Sequence, residues 1–116
     1  MNAQAQAAQQ VTPLAAGLSV EQLQFRYDIT GDKPSWRPLR AFDDGRKVYI
    51  QFPASIAQGE LPPLFLVGSE GDLQLVNHRY QAPYYIVDRL FGAVELRLGG
   101  ERQQVVRISR NDVKSR

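Results

Sequence analysis

Ala41-Phe42-Asp43-Asp44-Gly45-Arg46-Lys47-Val48-Tyr49-Ile50-Gln51-Phe52 is the stretch from which the fold can be read. Asp44-Gly45 predicts a hairpin, because Gly takes positive φ without a Cβ clash and Asp supports the turn through local hydrogen bonds. Beyond the turn, Val48, Ile50 and Phe52 point to one face, while Lys47, Tyr49 and Gln51 point to the other. That period of two, carried by β-branched and aromatic residues, marks a half-buried strand. Pro53 ends it, since proline has no N–H to give to a ladder. Asp43 and Asp44 are adjacent and would face opposite sides of a strand, so both are assigned to the turn. One takes an Asx or capping role and the other tolerates positive φ.

Working towards the N-terminus, Leu23, Phe25, Tyr27 and Ile29 alternate with Gln24, Arg26 and Asp28, which predicts a first strand over residues 23–29. Thr30-Gly31-Asp32-Lys33-Pro34 is a turn-rich loop, and Trp36 lies between it and a strand over residues 39–43. The alternation in that strand is imperfect, with Leu39 and Ala41 on one face and Phe42 on the other, so it holds a bulge or is covered on both faces. Residues 1–20 carry no charge and are dominated by Ala and Gln, as expected of a flexible linker or tail.

Towards the C-terminus, residues 54–63 read as a connection with room for one helical turn at 55–57. Leu64-Phe65-Leu66-Val67 is a continuous apolar run suited to a strand buried on both sides. Gly68-Ser69-Glu70-Gly71 turns the chain into a strand over 73–80. Further strands follow at 84–89, 94–98 and 103–109, and residues 111–116 form a polar tail. About eight short strands at roughly ten-residue spacing predict an all-β fold, an antiparallel β-sandwich or barrel spanning residues 21–110.

The 116 residues suffice for one domain. The 14 basic and 12 acidic residues are intermixed, so no block of like charge marks a nucleic-acid arm or a membrane anchor. Absence of cysteine excludes disulfides, thiolate nucleophiles and cysteine-based zinc sites. No apolar run approaches the roughly 20 residues of a membrane helix. The N-terminus lacks the basic-then-apolar pattern of an intact signal peptide, so an exported protein would appear here in a mature or shortened form.

No catalytic, cofactor or metal residues are assigned. His78 is the single histidine, and nothing in the sequence brings Asp72 or Asp88 to it, so it reads as a polar strand residue. Gly68-Ser69-Glu70-Gly71 is a turn rather than a nucleophile elbow. The tyrosines Tyr27, Tyr49, Tyr80, Tyr84 and Tyr85, with scattered Arg, suggest an alternative, a nucleic-acid-binding β-barrel. Near-neutral charge and the lack of an RNP-like motif stand against it.

Six blocks in order carry a further signal: Phe25-Arg26-Tyr27; Trp36-Arg37-Pro38 leading into Phe42-Asp43-Asp44-Gly45 and Val48-Tyr49-Ile50-Gln51-Phe52-Pro53; Pro63-Leu64-Phe65; Leu75-Val76-Asn77-His78-Arg79; Tyr85-Ile86-Val87-Asp88-Arg89; and Leu96-Arg97-Leu98-Gly99. They cover almost all of residues 22–108 and resemble the C-terminal domain of the TrbG/CagX family, a periplasmic subunit of the outer-membrane complex of type IV secretion and conjugation machines. Residues 1–20 carry no such match and would be a linker from an N-terminal domain. The resemblance implies a β-sandwich without enzymatic activity that needs no cofactor. It also implies binding to a small outer-membrane lipoprotein and to the channel-forming subunit, with many copies assembled in a ring. An extended lipoprotein segment would add to an exposed sheet edge. The first strand follows the linker and precedes a loop, so Leu23, Gln24, Phe25, Arg26 and Tyr27 are the expected partner-binding residues, with Arg26 meeting an acidic group.

Overall fold

The computed structural model describes residues 23–112. Nine strands form two antiparallel sheets: β1 (Tyr27–Gly31), β2 (Arg40–Asp43), β3 (Val48–Gln51), β4 (Leu64–Val67), β5 (Leu73–Leu75), β6 (His78–Gln81), β7 (Tyr84–Val87), β8 (Ala93–Leu98) and β9 (Gln104–Arg110). One sheet has five strands in the order β1-β9-β8-β4-β5, and the other has four in the order β2-β3-β7-β6. A short 3-10 helix, Ala54–Gln58, fills the connection after β3 and covers the helical turn expected there.

The quoted stretch is the β2–β3 hairpin, in which Ala41 faces Ile50 and Phe42 faces Tyr49. The Asp44 N–H donates to the Lys47 carbonyl at 3.1 Å, closing a two-residue turn of Gly45 and Arg46. Gly45 has φ +94°, and no described residue other than glycine has positive φ. Glycine at the first central position with negative φ at the second is the II′ arrangement, which matches strand twist. Asp44 therefore needs no positive φ. Its carboxylate instead accepts the Arg46 and Lys47 N–H groups, both at 2.8 Å. A Cβ at residue 45 would meet nothing within 4 Å, so Gly45→Val carries only the backbone penalty. It is expected to destabilise by about 1–3 kcal/mol, read as a lower urea midpoint at unchanged slope. An unchanged midpoint would mean the turn does not require this φ.

Alternation sends each β3 residue to one of two apolar layers. Ala41, Val48, Ile50, Phe52, Tyr85 and Val87 face the five-stranded sheet and meet Leu64, Val94, Leu96, Val106 and Ile108 in the main core. Trp36, Ile56 and Phe91 complete this cluster. Phe42, Tyr49, Tyr84 and Ile86 point the opposite way and form a second buried cluster with Leu23. The strand at Phe42 is thus covered on both faces, which explains its irregular pattern, while Leu39 lies before it and is exposed.

Two predicted strands are each divided between the sheets. Residues 23–29 begin with Gln24 bridged to Asp43 of the four-stranded sheet and continue as β1 paired with β9 of the other. Residues 73–80 become β5 and β6, which lie on opposite sheets with Val76 and Asn77 between them. The second division raises the count to nine strands, while the first leaves only an isolated bridge beside β1. The expectations for residues 1–20 and 113–116 lie outside the described residues.

Candidate partner-binding surface

The expected partner-binding residues do not form one uninterrupted edge. Leu23 is buried in the second cluster. The Gln24 N–H donates to the Asp43 carbonyl at 2.8 Å, and the Asp43 N–H returns a bond to the Gln24 carbonyl at 3.1 Å. This bridge occupies the outer side of β2 at Asp43. Phe25 is 56% exposed, and its ring lies 5.0 Å from that of Phe42.

Arg26 and Tyr27 turn towards Asp43, the one charged residue buried among those described. Arg26 grips the Asp43 carboxylate through Nε at 2.8 Å and Nη2 at 3.0 Å. The Tyr27 hydroxyl donates to Oδ2 at 2.7 Å, and the Gly45 N–H donates to Oδ1 at 2.8 Å. The remaining Arg26 nitrogen, Nη1, reaches Asp112 at 3.1 Å, and Arg110 holds the same carboxylate through Nε at 2.8 Å. The Asn111 N–H donates to the Arg26 carbonyl, so three distant segments meet here.

Electrostatics follow from this geometry. Burial alone would raise the Asp43 pKa, but hydrogen bonds from Arg26, Tyr27 and the Gly45 N–H outweigh it and hold the carboxyl below its ordinary value. Burial and the Asp43 carboxylate together push the Tyr27 hydroxyl upward. Tyr49, desolvated and beside Asp44, is pushed up to about 12. Asp112 is drawn down to about 2 by its hydrogen bond from Arg110, with Arg26 adding to the effect. These groups keep fixed charges across the neutral range.

The outer side of β1 is occupied as well. Asp32 N–H to Val105 carbonyl and Asn111 N–H to Arg26 carbonyl show that even-numbered residues bond to β9. Antiparallel alternation then turns the main-chain groups of Tyr27, Ile29 and Gly31 outward. Arg37 meets two of them, donating from Nη2 to the Ile29 carbonyl at 2.7 Å and from Nη1 to the Gly31 carbonyl at 3.5 Å, and Nη1 also reaches the Asp32 carbonyl at 3.1 Å. A guanidinium on an edge strand blocks sideways pairing.

His78 is exposed on β6, with Nδ1 3.0 Å from the Val76 carbonyl and its ring 4.6 Å from Tyr85. Among the described residues, no three His, Cys, Asp or Glu side chains gather as metal ligands. Tyr49, Tyr84 and Tyr85 are buried and Tyr27 and Tyr80 are half-buried, so none is displayed as a stacking platform for bases.

The architecture defines the class: an antiparallel β-sandwich domain whose ion pairs join its own chain segments. The chain belongs to the CagX family of conjugal transfer proteins, which matches residues 1–111. It is also similar to a probable conjugal transfer protein TrbG of Sinorhizobium fredii (strain NBRC 101917 / NGR234), at 39% identity over 95 residues. That alignment covers 81% of this chain and 34% of the relative, so the chain spans about a third of the relative's length. The family match includes residues 1–20, which the motif blocks had left outside the resemblance.

Proposed function

We propose that this domain is a non-enzymatic assembly module of a conjugal transfer outer-membrane complex, acting in the periplasm against the outer membrane. In this reading it binds a small outer-membrane lipoprotein and the channel-forming subunit, and copies of it associate in a ring. The observation that carries the reading is family membership over residues 1–111 by a chain with a sandwich fold. The fixed, mutually satisfied charges around Asp43 are compatible with it, since a rigid scaffold needs such groups paired. Of the five residues from Leu23 to Tyr27, Phe25 has the exposed apolar side chain suited to anchor a partner.

The test is isolation of the tagged, full-length protein from the envelope of cells carrying the transfer system, with mass spectrometry of what accompanies it. A short lipoprotein and a larger channel subunit are expected, and Phe25→Asp should lower lipoprotein recovery at unchanged protein level. A protein found in the cytosolic fraction that binds oligonucleotides with steep salt dependence would overturn the reading in favour of nucleic-acid binding.

A further inference from the structure

We propose that β5, the far edge of the five-stranded sheet, accepts an extended segment of another protein as a sixth strand. This deepens the assembly reading and rests on it for the origin of that segment. The two sheets have four edge strands: β1, β5, β2 and β6. Arg37 occupies carbonyls along β1, and Gln24 pairs with β2 at Asp43. β6 is defended by the exposed polar side chains of His78, Arg79 and Gln81, a usual device against unwanted pairing. β5 has neither protection.

The register exposes its main chain. The Gly68 N–H donates to the Asp72 carbonyl at 2.7 Å, and Leu66 stands opposite Gln74. Alternation along this ladder turns the N–H and C=O groups of Leu73 and Leu75 away from β4. Their side chains are 39% and 84% exposed, respectively. They stand opposite Val67 and Phe65, so the four side chains share the outer face of the sheet and form one apolar patch. Its border on β8 is polar: Glu95, opposite Phe65, is ion-paired with Arg97 at 2.7 Å and Arg107 at 3.3 Å. An apolar patch with a polar rim beside free main-chain groups is what strand addition requires.

Area and charge select the occupant. β5 is three residues long, so a two-fold pairing with a second copy would fall far short of the roughly 1,200 Å² of a stable interface. An extended segment gains instead by continuing past β5 along the same side. The exposed acids Glu70 and Asp72 stand at the hairpin end of β5, so the segment carries a basic residue there. The inferred occupant is therefore an extended peptide with apolar side chains at alternate positions and a Lys or Arg facing the Gly68–Asp72 turn.

The test uses the full 116-residue chain, labelled with 15N, and a capped synthetic peptide Val-Thr-Val-Thr-Val-Lys as the probe, whose C-terminal Lys meets the Gly68–Asp72 turn when it adds antiparallel to β5. Chemical-shift changes are expected at Leu73 and Leu75, with hydrogen exchange at those two amides slowed about tenfold at saturation. Leu75→Lys, at a site too exposed to disturb folding, is expected to weaken the peptide about tenfold or more through edge charge and loss of apolar contact. Shifts confined to β1 or β2, unchanged affinity of Leu75→Lys, or concentration-dependent protection of Leu73 and Leu75 without peptide would each overturn the proposal. Failure here leaves the envelope isolation above unaffected. Peptide binding at β5 without envelope partners would instead retain the edge and remove the assembly reading.

Discussion

Asp43→Asn is expected to lower the unfolding free energy by about 3 kcal/mol, near the low end of the cost of breaking a buried ion pair. The substitution keeps size and shape but removes the charge that Arg26 and Tyr27 address from two sides. An amide offers one acceptor oxygen in place of two and turns an N–H₂ towards donors. Arg26 is 24% exposed and can partly rehydrate, which keeps the loss from the upper end of the range. Urea denaturation measures it, and a loss under about 1 kcal/mol would show that the network is no stronger than a surface pair. Adding Arg26→Met to the Asp43→Asn variant should recover part of the loss, because the stranded cation is then gone.

The pH dependence has a defined sign. The Asp43 carboxyl lies below its ordinary value in the folded protein. Its contribution is therefore complete above the unfolded value of about 3.9 and is lost as pH falls through the folded value. In that window the unfolded chain binds more protons, so stability rises with pH. Asp112, at about 2, acts in the same direction. The slope of stability against pH below about 4 should be shallower in Asp43→Asn than in the parent.

Ile50→Ala is expected to cost about 4 kcal/mol, in the upper half of the range of ~2–5 kcal/mol for such truncations. Ile50 has no exposed surface and lies in β3, between Ala41 of β2 and Tyr85 of β7. Strands hydrogen-bonded on both sides hold their main chain in place, so neighbours cannot collapse into the vacated volume. Thermal or urea unfolding would read the effect, and Ile50→Val should cost only about 1 kcal/mol in the same assay. A parent-like midpoint for Ile50→Ala would remove Ile50 from the core.

The hairpin was legible because its information is local. Asp44-Gly45 dictates the turn, and Val48, Ile50 and Phe52 show their common face directly. Tyr49, read as turned away from the core, does face away, yet it is buried in a second layer that a period of two does not announce. Both sheet crossings escaped notice for one reason. Alternation persists through Phe25-Arg26, and at Leu75-Val76 the apolar positions shift from Leu73 and Leu75 to Val76 and Tyr80. The hydrogen-bonding partner changes in both places, and sequence period carries no partner identity. The Asp43 network was invisible for a related reason. Arg26 and Tyr27 lie 17 and 16 residues before Asp43, and Asp112 lies 86 residues after Arg26. One signal was available: Asp43 needs only one carboxylate oxygen for the Gly45 N–H of the turn, which leaves the other for partners outside it. The pairing of the first described strand with the last depends wholly on three-dimensional order.

That pairing also fixes the mechanical character of the domain. Tyr27, where β1 begins, stands opposite Arg110, where β9 ends, so the flanking chain leaves on both sides from the same end of the sheet. A pull that separates residues 26 and 112 acts across the β1–β9 ladder and breaks its hydrogen bonds one after another, as a zipper opens, instead of loading all of them together. The Arg26–Asp112 ion pair and the Asn111–Asp28 hydrogen bond are the first to take the strain. Tension applied at residues 26 and 112 therefore opens this ladder more readily than it would slide the two strands past each other. The sandwich is best protected when both flanks are anchored to one rigid body that rises and falls with it.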